Sequence, residues 1–187
     1  MENIREKYYK KAIPEIKKEF GLKNNLEIPR IIKVVVNTGI GKYLKDSSAV
    51  EEITRALTAI TGQKAVMVKT RKSIAGFKTR EGLEVAAKVT LRGPIMWNFL
   101  ENLVGAAIPR IRDFRGIKLT SLDSNGNLNI GIKEHTIFPE IVPEQVKNVF
   151  SLQVNITTDV NNRDMGLALF RNLGFPIEME VNNKKAI

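Results

Sequence analysis

The strongest folding constraint in this sequence is a broad apolar stripe at helical spacing within residues 94–107. Its members are Met96, Phe99, Leu100, Leu103, Val104 and Ala107. Side chains three and four residues apart share one face of a helix, so the stripe predicts a helix buried along one side. Pro94 suits the first helical position after Gly93, and Trp97 is expected to border the packed face. The rest of the chain must supply elements that cover this helix.

Six short segments have the β-branched or alternating character of strands. They are residues 31–36, 65–70, 83–91, 117–122, 128–133 and 154–158. The fourth and fifth flank a turn-forming run of Asp, Ser, Asn and Gly at residues 123–127, which predicts a hairpin. Residues 109–116 are expected to be an extended connector.

Three further helices are predicted from apolar spacing and from their ends. The first covers residues 3–20, where Pro14 should kink the helix or start a second piece of it. The second starts at a capping box of Ser48 and Glu51 and ends at Gly62. The third is short and is marked by Met165, Ala168, Leu169 and Leu173.

This order of elements predicts an α+β fold: a mostly antiparallel sheet with helices packed on one face and a long basic hairpin loop. We expect a single domain over residues 1–187, with the basic loop at about 70–82 and a frayed tail at about 180–187.

The positive charge is concentrated in one part of the chain. The whole sequence carries a net charge of +10, and residues 64–118 alone hold twelve Lys or Arg against four Asp or Glu. Such a block is typical of a surface that binds a polyanion. The alternative is a solvated basic surface that keeps the protein soluble.

The sequence argues against several other classes of function. It contains no cysteine, so thiolate metal sites and disulfides are excluded, and no apolar run of membrane-spanning length occurs. The glycine-rich turn at residues 39–42 lacks the spacing of a nucleotide-binding loop. His135 is the only histidine and is expected to be structural. We therefore expect a cytoplasmic protein that is not an enzyme and holds no metal or cofactor.

Two clusters of basic residues are candidates for contact with an RNA backbone. The first lies in and beside the predicted loop and comprises Lys69, Arg71, Lys72, Ser73, Gly76, Phe77, Lys78 and Arg80. Gly76 lets the backbone bend close to a ligand, while Phe77 either stacks on a base or packs back onto the sheet. The second comprises Arg110, Arg112 and Arg115, with Asp113 as a possible ion-pair partner that would give this cluster a structural role instead.

Several segments also match a known family, and they do so in that family's order over residues 8–176. They are residues 29–41, 61–64, 71–78, 88–93 with Met96 and Trp97, 109–116 and 137–141. The run Arg-Lys-Ser-Ile-Ala-Gly-Phe-Lys at residues 71–78 is the most specific of them. In these segments the sequence resembles the bacterial large-subunit ribosomal protein five family, which binds 5S ribosomal RNA.

The resemblance implies a structural constituent of the large ribosomal subunit that supports translation. Such a protein binds 5S rRNA and helps to attach it to 23S rRNA in the central protuberance. By similarity, Asn37, Gln63 and Thr90 are the polar contacts to 5S rRNA, with Arg92 nearby. Amide and hydroxyl groups can meet 2′-hydroxyls and base edges, which suits this role. Each also has an ordinary structural explanation, as a turn, helix-end or strand residue.

The resemblance also implies further partners for the loop and for the protein as a whole. The loop at residues 71–80 is similar to the family's finger toward the peptidyl-site tRNA. Small-subunit ribosomal protein thirteen, contacted through an intersubunit bridge, and neighbouring large-subunit proteins are the implied protein partners. Competing hypotheses are an RNA-directed enzyme on the same basic face and a nucleic-acid chaperone outside the ribosome.

The sequence departs from the family near its C-terminus. Residues 151–153 are Ser-Leu-Gln where Gly-Leu/Met-Asp is common, and Ile177 stands where phenylalanine is usual. We expect these changes to affect the C-terminal third and to leave the RNA-facing segments unaltered.

Overall fold

The computed structural model describes residues 3–44, 46–77 and 79–178, without the side chains of Phe77 and Gln145. Lys78 and the predicted tail at 180–187 therefore lie outside the described residues. The strands are β1 (Ile31–Gly39), β2 (Val66–Lys69), β3 (Glu84–Leu91), β4 (Leu128–Ile132) and β5 (Leu152–Thr158). The α-helices are α1 (Ile4–Lys7), α2 (Ile13–Glu19), α3 (Ser47–Thr61), α4 (Gly93–Asn102) and α5 (Arg163–Leu173).

The five strands form one sheet in the order β2-β3-β1-β5-β4, and every pairing is antiparallel. β1 is the central strand, with Val36 opposite Val89 of β3 on one side and Val154 of β5 on the other. β2 and β4 are the two edges. This arrangement confirms the predicted α+β class with a mostly antiparallel sheet.

Helices cover one face of the sheet, as predicted. The side chains on that face are almost entirely buried, including Val34, Val36, Leu91, Val154 and Ile156. α3 packs against β3, and α4 packs against β1. Strand residues alternate between the two faces, so every second residue of each strand is left on a face that these helices do not cover.

The N-terminal helix is divided by a π-helical turn at Tyr8–Ala12, directly before Pro14. Proline has no N–H to donate and its ring clashes with the preceding turn, so the hydrogen-bonding pattern changes there. The predicted second piece is α2. The buried Tyr8 donates its hydroxyl hydrogen to the Pro29 carbonyl at 3.2 Å, and its ring lies 5.7 Å from that of Trp97.

The predicted start of α3 is wrong, and its predicted end is confirmed. The N-cap is Asp46, whose carboxylate accepts from the backbone N–H of Ala49 at 3.2 Å and from the Ser48 hydroxyl at 2.8 Å. The Asp46 carboxylate, two residues before Ser48, caps the helix because it reaches the free N–H groups of the first turn. Its negative charge also interacts favourably with the positive end of the helix dipole. Gly62 ends the helix with φ +68°.

The predicted hairpin of residues 117–122 with 128–133 forms only next to its turn, where Leu122 and Leu128 make a single antiparallel bridge. β4 pairs with β5, while residues 119–121 form a 3₁₀ turn. Ile117 pairs instead with the distant Ile177: its N–H donates to the Pro176 carbonyl at 2.8 Å, and its carbonyl accepts from Glu178 N–H at 2.9 Å. The turn residues did predict a turn, since the Asp123 carboxylate accepts from the backbone N–H groups of Asn125 and Asn127. The start of the predicted first strand therefore pairs with a distant segment, and only its end pairs locally.

His135 has the structural role expected of it. Its ring is buried and stacks on Phe150 with centroids 3.8 Å apart, and its Nδ1 accepts from the Phe150 backbone N–H at 3.4 Å. Burial lowers the pKa of His135, because the charged imidazolium loses hydration there.

Candidate nucleic-acid interface

The uncovered side of the sheet, here called the open face, carries a set of polar and basic side chains. Its members in register are Lys33, Val35 and Asn37 of β1, Lys88 and Thr90 of β3, Gln153, Asn155 and Thr157 of β5, and Asn129 and Gly131 of β4. None of these ten residues is an aspartate or a glutamate. Each is exposed or half-buried, whereas their neighbours on the covered face are buried. The open face is therefore a broad neutral-to-basic surface.

Two of the predicted RNA-contacting residues lie on this face, and a third is tied to it. Asn37 pairs with Lys88, and Thr90 lies two residues farther along the same strand, opposite Val35. Gln63 projects from the end of α3, and its side-chain amide donates to the Thr90 carbonyl at 3.3 Å. The three polar side chains thus come from separate parts of the sequence to one region of the sheet.

Arg92 stands just beyond the end of β3, at the N-cap of α4. Its side chain is exposed and forms no capping hydrogen bond. The arginine is therefore available at the border of the open face, beside Thr90.

Several polar residues of the open face were not predicted from the sequence to contact RNA. They are Lys33, Lys88, Asn129, Gln153 and Asn155. The signal was present in the alternation of β5, where polar residues separate the buried Leu152, Val154 and Ile156. The alternation alone could not show which side of the sheet the helices leave uncovered.

The expectation for the C-terminal departures needs a correction at one residue. Gln153 is paired with Asn37 and with Gly131, so it lies in the middle of the open face. The departure at this position therefore alters the surface that carries the predicted RNA contacts. Beside it, the Asn155 amide donates a hydrogen bond to the Asn129 side-chain oxygen, which orders two of the amides.

The basic segment between β2 and β3 has local structure of its own. Ile74 and Thr79 form a bridge with reciprocal backbone hydrogen bonds of 3.1 and 3.2 Å, and Ala75–Phe77 form a 3₁₀ turn between them. Arg71, Lys72, Ser73, Gly76 and Arg80 are all exposed. That this segment acts as one long protruding loop stays a prediction.

Lys69 differs from the other basic residues of this cluster. Its Nζ lies 3.9 Å from a carboxylate oxygen of Glu84 on the neighbouring strand. Both side chains are largely exposed, so the pair is screened by water and contributes little to stability. The Glu84 carboxylate nevertheless offsets part of the positive charge at this end of the sheet.

The second basic cluster lies against the opposite edge of the sheet. Arg110, Arg112 and Arg115 are exposed, and no ion pair joins them to Asp113 within the described part of the chain. The segment that carries them, residues 110–118, is here called the arginine arm. It begins in a 3₁₀ turn rather than fully extended, and Asp113 has φ +54°.

A groove of about 630 Å³ runs between the arginine arm and β4. Besides the three arginines, Lys118 and Lys133 line it, against the carboxylates of Asp113 and Glu134. Lys133 also borders the open face. The two basic clusters are thus at opposite edges of the sheet, with the open face between them.

Two other kinds of feature are absent from the described residues. Among them no group of three or more His, Asp or Glu side chains is placed to hold a metal ion. Nor does any helix in residues 3–44, 46–77 and 79–178 have the length and apolar character needed to cross a bilayer.

The sequence matches two family profiles that together span most of the chain. Residues 24–80 match the profile described as ribosomal protein L5, and residues 84–177 match the profile of the C-terminus of the same ribosomal family. β1 and β2 lie in the first match and the other three strands in the second, yet all five form one sheet.

Curated relatives are similar over nearly their whole length. The large ribosomal subunit protein uL5 of Fervidobacterium nodosum is 42% identical over 177 residues, 95% of this chain and 96% of the relative. The uL5 of Colwellia psychrerythraea is 42% identical over 97% of this chain and 100% of its own. That of Francisella tularensis subsp. mediasiatica is 45% identical over 95% and 99%. The chain therefore belongs to the ribosomal protein L5 family.

Proposed function

We propose that this protein binds 5S rRNA through the open face and helps to attach that RNA to 23S rRNA in the central protuberance. Its family is one of large-subunit ribosomal proteins, so the chain is a structural component of the ribosome and not an enzyme. The identity of the bound RNA and the residues that contact it are the proposed part.

The observation that carries the proposal is the chemistry of the open face. It offers amide groups from three strands, hydroxyl groups, and the cations Lys33 and Lys88, with no carboxylate among its ten residues. Amides and hydroxyls can both donate to and accept from sugar hydroxyls and base edges. Ammonium groups attract phosphates whatever the sequence. A folded RNA presents both kinds of partner: sugar hydroxyls and base edges for the amides and hydroxyls, and phosphates for the lysines.

Within this surface, Asn37, Gln63 and Thr90 are proposed to select the RNA. Gln63 is already oriented by its hydrogen bond to the Thr90 carbonyl, so less side-chain entropy is lost when RNA binds. Arg92 lies beside them and adds a cation whose planar donors suit phosphate. The arginine arm, at the far edge of the sheet, is proposed to contact the backbone of a second RNA segment, in 23S rRNA.

The exposed segment between β2 and β3 is proposed to contact the peptidyl-site tRNA. Its basic residues leave the sheet at the edge opposite the arginine arm, so a second ligand there does not compete with RNA on the open face. Contacts with small-subunit ribosomal protein thirteen, as an intersubunit bridge, and with neighbouring large-subunit proteins are also proposed, without assigned residues.

Binding of purified protein to 5S rRNA transcripts at several salt concentrations tests the main proposal. If about five to eight phosphates are neutralised, the logarithm of the association constant should fall with the logarithm of salt concentration with a slope of about −5. We expect 5S rRNA to bind more tightly than unrelated RNA hairpins of equal length. A slope near zero, or equal affinity for all hairpins, would contradict the proposal.

Deletion of residues 75–77 tests the division between the two ligands. We expect the shortened protein to retain its affinity for 5S rRNA and to lose affinity for tRNA on reconstituted subunits, because the deleted turn includes none of the ten open-face residues. Loss of 5S rRNA binding in this variant would contradict the assignment. Sedimentation with the large subunit after a high-salt wash separates the ribosomal role from that of a free chaperone.

A further inference from the structure

The open face contains a shallow depression where two strands carry glycine. Gly131 of β4 lies in the row formed with Gln153 and Asn37, and Gly39 follows Asn37 two residues along β1 on the same face. The depression has a volume of about 540 Å³. It lies between the proposed RNA contact at Asn37 and the edge strand β4.

Neither glycine is explained by the protein's own structure. A Cβ atom added to Gly39 or to Gly131 would meet no atom within 4 Å, and neither residue has the positive φ that favours glycine. Glycine in a strand weakens it, because it has more backbone entropy to lose and no side chain to pack. A glycine that packing and backbone conformation do not require is often a place where a ligand approaches the backbone closely.

The rim of the depression has the groups that recognise a nucleobase. Asn37, Gln153 and Asn129 border it, and among the described residues that line it none is acidic. An amide side chain presents a donor and an acceptor side by side, which is the pattern that base edges match. At Gly131 the floor is exposed peptide backbone, over which a flat ring can lie.

A lysine lies at the side of the depression toward which the phosphate of a nucleotide bound there would point. Lys133 follows Gly131 by two residues, just past the end of β4, so the amide of Asn129 and the ammonium of Lys133 flank the gap. Lys133 also lines the groove of the arginine arm on the other side of β4. The gap at Gly131 therefore joins the open face to the positively charged groove.

We propose that this depression holds one unstacked nucleotide of the bound RNA, with its base against the backbone of Gly131. The base edge meets the amide of Gln153 on the neighbouring strand, and the phosphate lies toward Lys133 and the arginine arm. This inference rests on the proposed binding of 5S rRNA and adds to it a site for a single nucleotide. RNA that presents a base turned out of a loop is the class of ligand it takes.

The test combines a filled depression with RNA that lacks single bases. Gly131→Val places a branched side chain in the gap, and the open space around the residue lets the fold accommodate it. The matched control is Gly41→Val, a glycine in a turn outside the depression whose Cβ is equally unobstructed. Abasic residues are introduced one at a time at the loop nucleotides of 5S rRNA, and affinity is measured by gel shift.

For the wild type we expect one loop position at which loss of the base lowers affinity about tenfold, the size expected for one well-placed hydrogen-bonded contact to a base edge. Gly131→Val should lower the affinity for intact RNA by a similar factor, and base removal at that position should then have little further effect. Gly41→Val should bind like the wild type. Independent, multiplying effects of Gly131→Val and base removal would overturn the proposal, as would unchanged affinity in Gly131→Val.

A second variant keeps the test decisive if Gly131→Val does not fold. Gln153→Glu keeps the size of an exposed side chain and adds a negative charge to the rim, and it should weaken binding more at low salt than at high salt. Unchanged affinity of Gln153→Glu at low salt would count against the site. If the wild type does not bind 5S rRNA at all, the proposed function fails as well; if the wild type binds and both variants bind equally well, only the nucleotide site fails.

Discussion

The two faces of the sheet are built from the same five strands and have opposite roles. On the covered face, Val34, Val36 and Ile156 are fully buried, and they supply the apolar contacts with the helices. On the open face, Lys33, Asn37 and Asn155 alternate with them and are only half-buried. A shift of one residue in register would exchange the two sets. Burial of one face therefore fixes which side chains the other face presents.

The largest expected effect is a loss of stability on the covered face. Ile156→Ala should lower the free energy of unfolding by about 3 kcal/mol, because it removes buried apolar groups and leaves a cavity. Its neighbour Thr157→Ala, on the open face, should change it by less than about 0.5 kcal/mol. Denaturant unfolding measures both. Equal losses would show that the open face also contributes to the core, and would break the comparison.

Charge reversal on the open face should have a large effect on affinity and a small one on stability. Lys88→Glu is expected to weaken 5S rRNA binding by about tenfold or more and to reduce the magnitude of the salt slope by about one to two. Lys88 is exposed and lies between Asn37 and Val66, so no buried contact is lost. The control is Lys42→Glu, an equal charge change in an exposed turn outside the sheet. Similar effects of both changes would mean that net charge alone drives binding.

Removal of single amides should have a moderate effect that is confined to binding. Asn37→Ala and Gln63→Ala should each weaken 5S rRNA binding by several-fold, corresponding to about 1 kcal/mol for a lost hydrogen bond. Both side chains are at least partly exposed, so the melting temperature should stay within about 2 °C of the wild-type value. A parallel loss of melting temperature and affinity would assign these residues a structural role instead.

The smallest expected effect is a pH dependence that separates the two faces. Burial lowers the pKa of His135 below its ordinary value of 6.5, so the folded protein resists protonation more than the unfolded chain does. The stability from the neutral imidazole is therefore fully present above pH 6.5 and is lost as the pH falls below that value toward the lowered folded pKa. None of the ten open-face residues is a histidine, an aspartate or a glutamate, so the charge of these ten residues should stay constant over the same range.

The free energy of unfolding, measured between about pH 7 and about pH 5.5, should decline in the wild type as the pH is lowered. The decline should be smaller in His135→Gln, whose side-chain oxygen can still accept from the Phe150 N–H. Affinity for 5S rRNA, measured where the protein is folded, should change little. A decline in affinity that follows the decline in stability would contradict the separation of the two faces.

The sequence predicted those features that depend on neighbouring residues. Helix α3 ends at Gly62 because the left-handed conformation favours glycine there, and the turn at Asp123 depends on a side chain that reaches its own neighbours. The start of α3 was missed because Asp46 and Ser48 are both good capping residues, and only the backbone geometry decides between them. The hairpin was predicted too long, because Ile117 pairs with Ile177, a partner that local patterns do not indicate, and only Leu122 pairs with Leu128.

The candidate site shows the same division. Asn37, Gln63, Thr90 and Arg92 were named from the resemblance, and their placement near one another agrees with that prediction without testing it. Gln153 and Asn155 were visible as alternating polar residues but were not assigned to the same surface. The depression at Gly39 and Gly131 could not be foreseen, because it forms only when β1 and β4 are brought to either side of β5.

The position of β1 at the centre of the sheet has a consequence for the order of events during synthesis. β1 leaves the ribosome early, but its two partners, β3 and β5, follow much later in the chain. Pairings between segments so distant in sequence form slowly and only once both are present. A growing chain that ends before residue 152 lacks one whole flank of β1. The open face, where RNA is proposed to bind, is therefore complete only after β5 has been translated.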